Sequence, residues 1–463
     1  MNFSCIMANV IKIKKGLDIN LKGKPSDVLL AGKKSVTYAI VPDNYNGIIP
    51  KVVAKAGDKV KAGSVLMYDK NRPEIKFVSP VSGEVLAVNR GAKRKVLSIE
   101  VQADAEVEYV EFGKKNVSSL KAEEIKEAIL EAGLWPSVRQ RPYDIVATPG
   151  DAPRDIFVSA FYSAPLAPNF DFILRGQEVD FQTGLDALAK LTSGKVYVGV
   201  RKGSNVSPKG VELIEVEGPH PAANVGVQIN YIKPINKGEI VWVVNPDEVI
   251  MIGRLFNKGI ADFSRMVVLT GSEISEKGYV ETIAGCSIKS LVDGRVQQSN
   301  FQNGFQGLSD TRIISGNVLS GTKVDRDGYL GAYDNQITVI PEGEDVYELF
   351  GWIMPRFNDF SVSRTYFSWL MGKKKEYTID ARIKGGKRAM IMSNEYDQVF
   401  PMNILPEYLL KAIIAFDIDK MENLGIYEVA PEDFALCEFV DTSKIEIQKI
   451  VRDGLDLLYK EMN

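Results

Sequence analysis

Residues 47–88 read GIIPKVVAKAGDKVKAGSVLMYDKNRPEIKFVSPVSGEVLAV. Short runs rich in Val and Ile alternate with turn residues at Gly57-Asp58, at Gly63 and across Ser79-Pro80-Val81-Ser82-Gly83, the punctuation of closely spaced β-strands. The pattern is that of a biotinyl/lipoyl-type β-barrel, placed at residues 35–104. A carrier barrel displays its modifiable lysine on the tight hairpin between its two halves. Here that hairpin is Asp69-Lys70-Asn71-Arg72-Pro73-Glu74, with no flanking methionine and a proline in the tip. The expectation is a barrel without a carrier lysine, Lys70 being one residue of a solvated charged turn.

With 463 residues the chain exceeds one hydrophobic core and implies roughly two to four domains. Charged residues at 25 % and apolar residues at 45 % are ordinary globular values. No apolar run approaches the roughly 18 residues that cross a bilayer; the strongest, residues 409–416, is short and contains Lys411. Residues 1–10 lack the basic and apolar regions of a secretory leader. Met7 is an alternative start, which would leave residues 1–6 as an extension. Cys5, Cys286 and Cys437 form no Cys-x-x-Cys spacing and fit a reducing compartment. Three thiols cannot supply the four ligands of an iron–sulfur cluster. A single histidine, His220, excludes His-rich metal sites and most Ser-His-Asp triads. No catalytic residue and no metal ligand are assigned.

The net charge of −3 conceals an asymmetry. Residues 1–100 hold 18 Lys/Arg and 8 Asp/Glu, a balance of +10, so the remainder carries −13. A basic first domain favours an anionic surface such as acidic lipid or an acidic partner protein, and its cluster Lys93-Arg94-Lys95 is the candidate docking patch. Chance clustering on a small β-domain gives the same count. No aromatic interleaving accompanies the basic residues, so nucleic acid is unsupported.

Along the rest of the chain, residues 11–34 are short strand-like pieces in an N-terminal segment, 1–34. A helix is expected through Ile125, Ala128, Ile129 and Ala132, closed by Gly133. Strands at 145–147, 156–160 and 195–200 with a helix at 179–191 imply an α/β layer with a largely parallel sheet, residues 120–255. A hairpin turning between Gly271 and Gly278, a helix near Ser287 and further strands imply a β-grasp domain, 256–345. Residues 346–463 read as a mostly helical C-terminal domain, loop-rich and aromatic after Pro355, with helices at 405–416, 421–425 and 445–462.

Phosphate loops fail on inspection. Gly32-Lys33-Lys34-Ser35 has Asp27 where a P-loop needs its first glycine and Lys34 where it needs Ser or Thr. No G-x-G-x-x-G follows an expected strand, which removes the usual approach of backbone N–H groups to a pyrophosphate. The candidate ligand or interface loop is Gly218-Pro219-His220-Pro221 through Gly226, rigid because prolines flank the imidazole. A structural loop whose histidine caps a carbonyl is the plainer reading. Cys437, among Ala435, Leu436 and Phe439, reads as a small buried hydrophobe.

In order along the chain, IKIKKGLDINLKG (11–23), SPVSGEVLAVNRGAKR (79–94), RGQEVDFQTGLDALAKLTSGKVYVGV (175–200), EGPHPAANVGVQIN (217–230), ISGNVLSGTKV (314–324), ILPEYLLKAIIAFDID (404–419) and ALCEFV (435–440) resemble the A-subunit family of the sodium-translocating NADH:quinone oxidoreductases of bacterial respiratory membranes. That family is similar in architecture to the NADH- and FMN-binding subunit of respiratory complex I and to the C subunit of the Rnf complex. The resemblance implies a Rossmann-like layer and a soluble-ligand-binding β-grasp (SLBB-like) domain, without the flavin loop or the iron–sulfur cysteines. It implies a peripheral subunit on the cytoplasmic face of the inner membrane, docked to the membrane subunit of the quinone site, in a complex that uses NADH, FAD, FMN, iron–sulfur centres and quinone. No cofactor is expected to be covalently bound by this chain; the resemblance allows quinone contact without assigning residues to it. The chain departs from the family at Asp441, where many members carry a cysteine, and at Gln228-Ile229-Asn230, where many carry His-Ile-His. A stand-alone flavin-dependent NADH dehydrogenase and a non-respiratory scaffold module are the rival readings.

Overall fold

The computed structural model describes residues 9–296, 311–343, 353–372 and 374–462; Cys5 and the alternative start at Met7 lie outside them. Strand β1 (Asn9–Lys12) leads, and a barrel follows from β2 (Thr37–Ile40), β3 (Pro50–Val52), β4 (Lys59–Val60), β5 (Val65–Asp69), β6 (Lys76–Val78), β7 (Gly83–Arg90) and β8 (Val96–Ala103). Two sheets close on each other, ordered β2-β8-β7-β4 and β3-β5-β6. Leu66, Met67, Phe77, Val81, Val85, Ile99 and Val101 fill the space between them. The hairpin after β5 is tied down. The buried Asp69 carboxylate accepts from the Ile49 N–H (3.0 Å) and from Arg72 Nε (2.7 Å), and Arg72 also donates to the carbonyls of Gly47 (2.7 Å) and Val146 (3.1 Å). Lys70 is exposed on this pinned tip.

The α/β layer contains α1 (Ala122–Glu131), β9 (Val138–Arg141), β10 (Ile145–Val146), β11 (Ile156–Ser159), α2 (Phe170–Ile173), α3 (Glu178–Ala189), β12 (Val196–Arg201), β13 (Glu212–Glu217), α4 (Val225–Ile232), β14 (Val241–Val244) and α5 (Pro246–Lys258). Its sheet runs β1-β13-β12-β11-β14-β9-β10, with the first five strands parallel, β9 antiparallel to β14 and the edge strand β10 antiparallel to β9. Both faces are buried, which is why β14 reads Val-Trp-Val-Val without alternation. Ile156, Val158, Trp242 and Val244 face α3 and α5, whereas Phe157, Val241 and Val243 face α4 and the C-terminal helices. Helices α3 and α5 touch backbone to backbone: a Cβ on Gly253 would overlap the Asp180 carbonyl oxygen. β1 lies outside the sequence-based α/β boundary. A strand of four residues has no local signature, and its pairing with β13 is decided about 200 positions later. The remainder of the N-terminal segment forms only isolated bridges, Leu21 to Tyr377 and Leu29 to Tyr279, because its Gly and Pro residues interrupt any ladder.

The third layer is built from β15 (Ser264–Thr270), β16 (Gly278–Ile283), α6 (Ile288–Val292), β17 (Thr311–Ser315), β18 (Thr322–Val324) and β19 (Gln336–Pro341), in the order β16-β15-β19-β17-β18. β19 returns parallel beside β15 while its other neighbours are antiparallel, the mixed order of a β-grasp unit. The C-terminal part is helical only from Tyr396 onward: α7 (Tyr396–Val399), α8 (Pro406–Ile414), α9 (Ile418–Asn423), α10 (Ala435–Val440) and α11 (Ile447–Met462). Residues 353–372 and 374–395 carry one short 3-10 turn, Phe367–Met371, and otherwise run without helix or extended ladder.

Candidate functional site

In an open parallel sheet, ligands sit outside the carboxyl ends of the strands, where the strand order reverses. Here β11 is flanked by β12 on one side and β14 on the other, so the reversal lies between β11 and β14. A cleft of about 760 Å³ opens at the ends of β11 and β12, lined by Asp18, Ser163, Asn169, Arg201, Ser204 and Tyr279 among others. Its walls are locked. Arg201 donates to the Tyr162 carbonyl (3.2 Å), Ser204 donates to Asp171 (2.6 Å), and the Tyr279 hydroxyl accepts from the Asn169 N–H (2.7 Å).

The reversal point itself is filled by protein. Helix α5 opens with Pro246, Asp247 and Glu248, all buried. Proline offers no N–H, and two carboxylates occupy the first turn, where a bound phosphate would need donors and positive potential. Asp247 accepts from the Tyr162 hydroxyl (2.5 Å) and the Asn335 amide (2.9 Å), and Glu248 faces Arg265 at 3.2 Å. Burial drives the Glu248 pKa up to about 7, against the opposing pull of Arg265. The opening of α5 therefore does not fit a phosphate.

The His220 loop lies behind the cleft, at the joint between the sheet and the C-terminal helices. His220 is 5 % exposed. Its Nδ1 lies 3.0 Å from Ser163 Oγ, which itself accepts from the Ala223 N–H (3.0 Å) and so keeps its proton for the imidazole. The loop's backbone binds the N-terminal segment: His220 N–H donates to Asp18 (2.9 Å) and its carbonyl accepts from Leu17 (2.8 Å). Burial lowers the imidazole pKa to about 4. Ser163 Oγ is thus held between the Ala223 N–H and the imidazole, which ties the loop to the residues that follow β11. Gly218 abuts Ile13, Pro219 packs near Gly16, and a Cβ on Gly226 would overlap Arg141 and Asp433.

That last contact marks a site without any local sequence signal. Arg141, 2 % exposed, donates from Nη1 to Asp433 (2.9 Å) and to the Glu428 carbonyl (2.7 Å), and from Nη2 to Glu432 (3.2 Å). Its partners are about 290 positions away. The departures from the family pattern have structural partners too. Gln228 donates to Ser159 Oγ (2.9 Å), Asn230 bridges Glu428 (2.7 Å) and the Asn403 N–H (2.9 Å), and Asp441 accepts from the Tyr396 hydroxyl (2.8 Å) and the Ile445 N–H (2.9 Å).

Lys93, Arg94 and Lys95 stand exposed between β7 and β8, with Lys95 paired to Asp43 at 2.6 Å. They are not near the His220 loop in the sheet order. Among the described residues no group of three or more His, Cys, Asp or Glu side chains is arranged to hold a metal ion. Cys286 and Cys437 are both fully buried; burial pushes the Cys286 thiol up to about 11 and raises Cys437 well above the ordinary range. Neither thiol is expected to react with iodoacetamide at pH 8 in the native chain, whereas both react after unfolding. Mass mapping of labelled peptides checks this, and native labelling of Cys437 would contradict it.

Three family models match the chain: the NqrA N-terminal barrel-sandwich hybrid domain over residues 11–104, the NqrA second alpha/beta domain over 120–261 and the NQRA C-terminal domain over 266–326. The A subunit of the Na(+)-translocating NADH-quinone reductase from Yersinia pestis bv. Antiqua (strain Angola) is 36 % identical over 458 residues, covering 98 % of this chain and 100 % of the relative. Its counterpart from Neisseria meningitidis serogroup A is 35 % identical over 459 residues, with the same coverage. An NAD+-reducing [NiFe]-hydrogenase structure aligns with 51 % of this chain and 52 % of its own at 14 % identity and a TM-score of 0.31, too low to assign a fold. On the identity shared across nearly all of both sequences, the chain belongs to the A-subunit family of the Na(+)-translocating NADH-quinone reductases.

Proposed function

We propose that the chain is the peripheral A subunit of a complex that couples NADH oxidation and quinone reduction to sodium export. The observation that carries this is the family match across nearly the whole of both chains. No helix among the described residues is long and apolar enough to cross a membrane, which suits a subunit held to the membrane by its partners, on the cytoplasmic face. Its α/β layer is read as a Rossmann-like fold akin to the flavoprotein subunit of complex I. Support comes from the five parallel strands. NADH, the flavins, the iron–sulfur centres and the electron path then belong to the other subunits. This chain contributes a wall near the quinone site and docking to the membrane subunit. The loop from Gly218 to Gly226 acts as an internal joint that sets the sheet against the C-terminal helices. A complex assembled without this chain should lose quinone reduction and sodium transport together; retention of both would contradict the reading.

The barrel cluster Lys93-Arg94-Lys95 is read as a docking patch, supported by its exposure and by the basic balance of the first hundred residues. Exposed charge is screened within about 8 Å at physiological salt. Lys93→Glu, Arg94→Glu and Lys95→Glu together should therefore weaken retention of the chain by membranes most at low ionic strength, as read by sedimentation. Unchanged retention at every salt concentration would remove this cluster from the docking surface.

A further inference from the structure

Single exposed apolar residues are normal; clusters of them mark contact surfaces. Among the described residues, fourteen large apolar side chains are more than half exposed, and eight of these fall between Ile353 and Ile391. Four ride on one turn: Phe367, Trp369, Leu370 and Met371, at 51–60 % exposure. The turn is fixed in place. Phe367 N–H donates to the Pro355 carbonyl (3.0 Å), and the Tyr377 hydroxyl donates to the carbonyl of Ser368 (3.2 Å). Tyr377 is in turn held by the N-terminal segment, through Asn20 (2.8 Å) and Lys22 (2.9 Å). Ser368 is 2 % exposed, so the turn points its small polar residue inward and its four large apolar ones outward. That arrangement is the reverse of a collapsing loop.

The charge of this stretch is predominantly positive. Residues 353–372 and 374–392 contain eight Lys/Arg and three Asp/Glu, in a chain whose net charge is −3. Arg364, Lys374 and Arg388 are exposed and make no ion pair among the described residues. An exposed apolar turn in a stretch with an excess of cations, three of them without an ion pair among the described residues, suits a partner that is apolar in the middle and acidic at its edge.

We propose that the surface centred on residues 367–371 seats another subunit of the same complex, one presenting an apolar patch with an acidic rim. This rests on the reading of the chain as one component of that complex, and adds the surface by which it assembles. A bilayer is the poorer occupant. Away from the short turn the backbone here forms neither helix nor extended ladder; hydrocarbon cannot satisfy its N–H and C=O groups, whereas a protein face can. The apolar residues also lack the amphipathic helix that interfacial anchors use.

The test is an affinity purification of the tagged full chain from detergent-solubilised native membranes, comparing wild type with a Trp369→Asp, Leu370→Asp double variant. Both positions are exposed, so circular dichroism and thermal midpoint of the isolated variant should match the wild type. The variant is expected to recover the other subunits at least about tenfold less well, since an aromatic and an aliphatic anchor are lost together. An Arg364→Glu, Arg388→Glu variant should show a smaller loss that high salt abolishes. Wild-type recovery by the double variant would overturn the proposal, as would flotation of the isolated wild-type chain, but not the variant, with vesicles of phosphatidylcholine and phosphatidylglycerol. A wild-type chain recovered without other subunits would instead overturn the subunit reading, and the proposal with it.

Discussion

Replacing Arg141 by alanine is expected to destabilise the chain by about 3–5 kcal/mol, the usual cost of breaking a buried ion pair from one side. Arg141 reaches from β9 into the C-terminal helical part, where Asp433 is completely buried and Glu432 half-buried. Burial works against the guanidinium's charge, yet the two carboxylates more than offset it and hold its pKa above the ordinary value. Alanine would leave Asp433 buried without its cation. The same guanidinium supplies the donor that satisfies the Glu428 carbonyl, so a backbone acceptor is orphaned as well. Hydrogen exchange is the suitable readout, because a chain of several domains need not unfold as one unit. Protection should fall first in α8, α10 and α11, with the barrel unaffected. A double change, Arg141→Met with Asp433→Leu, should recover much of the loss. A loss below about 1 kcal/mol for the single variant would mean that the pair does not clamp the two layers.

The second large effect is the contribution of His220 to the pH dependence, which Glu248, with its raised pKa, opposes in the same window. The chain has a single histidine, and burial holds the folded His220 near pKa 4, below its ordinary 6.5. The unfolded chain therefore takes up a proton as pH falls through 6.5 while the folded chain does not. The stability of the neutral imidazole is present above pH 6.5 and is lost progressively as pH falls toward 4. Between pH 6.5 and 5 the loss amounts to about 1.6 kcal/mol, because at pH 6.5 the unfolded imidazole is already half protonated. In denaturant titrations, the difference between the stability–pH profiles of wild type and His220→Gln should show this loss, and the imidazole resonances of the native protein should not titrate above about pH 5. A native imidazole titrating near its ordinary 6.5 would show that the ring is solvated and the joint open.

The barrel, the β-grasp hairpin and the C-terminal helices were legible because each is specified locally. Turn residues and β-branched runs punctuate residues 47–88, and Leu409, Leu410 and Ile413 repeat at helical spacing in α8. The α/β layer was only half legible. Strand β9, paired on both sides, carries the half-buried Arg139 and the buried Arg141, and its Val-Arg-Gln-Arg gives neither an apolar run nor an alternation. β1 is too short to announce itself. Helix α5 carries Gly253 inside, which lowers helix propensity but serves its packing against α3. The His220 loop was visible as a rigid element because of its prolines. What it joins was not, because Ser163, Asp18 and the Arg141–Asp433 pair beside Gly226 come from distant parts of the chain. Sheet partners and buried ion pairs are decided by tertiary contact, and a single sequence carries no trace of them.

Membership of the complex is tested most directly by purifying the tagged chain from detergent-solubilised native membranes, with mass spectrometry of its partners and an absorption spectrum of the chain once separated from them. The expected result is stoichiometric recovery with the flavin- and iron–sulfur-bearing subunits, and a separated chain without visible absorption. A chain recovered alone, or one that is itself yellow, would contradict it.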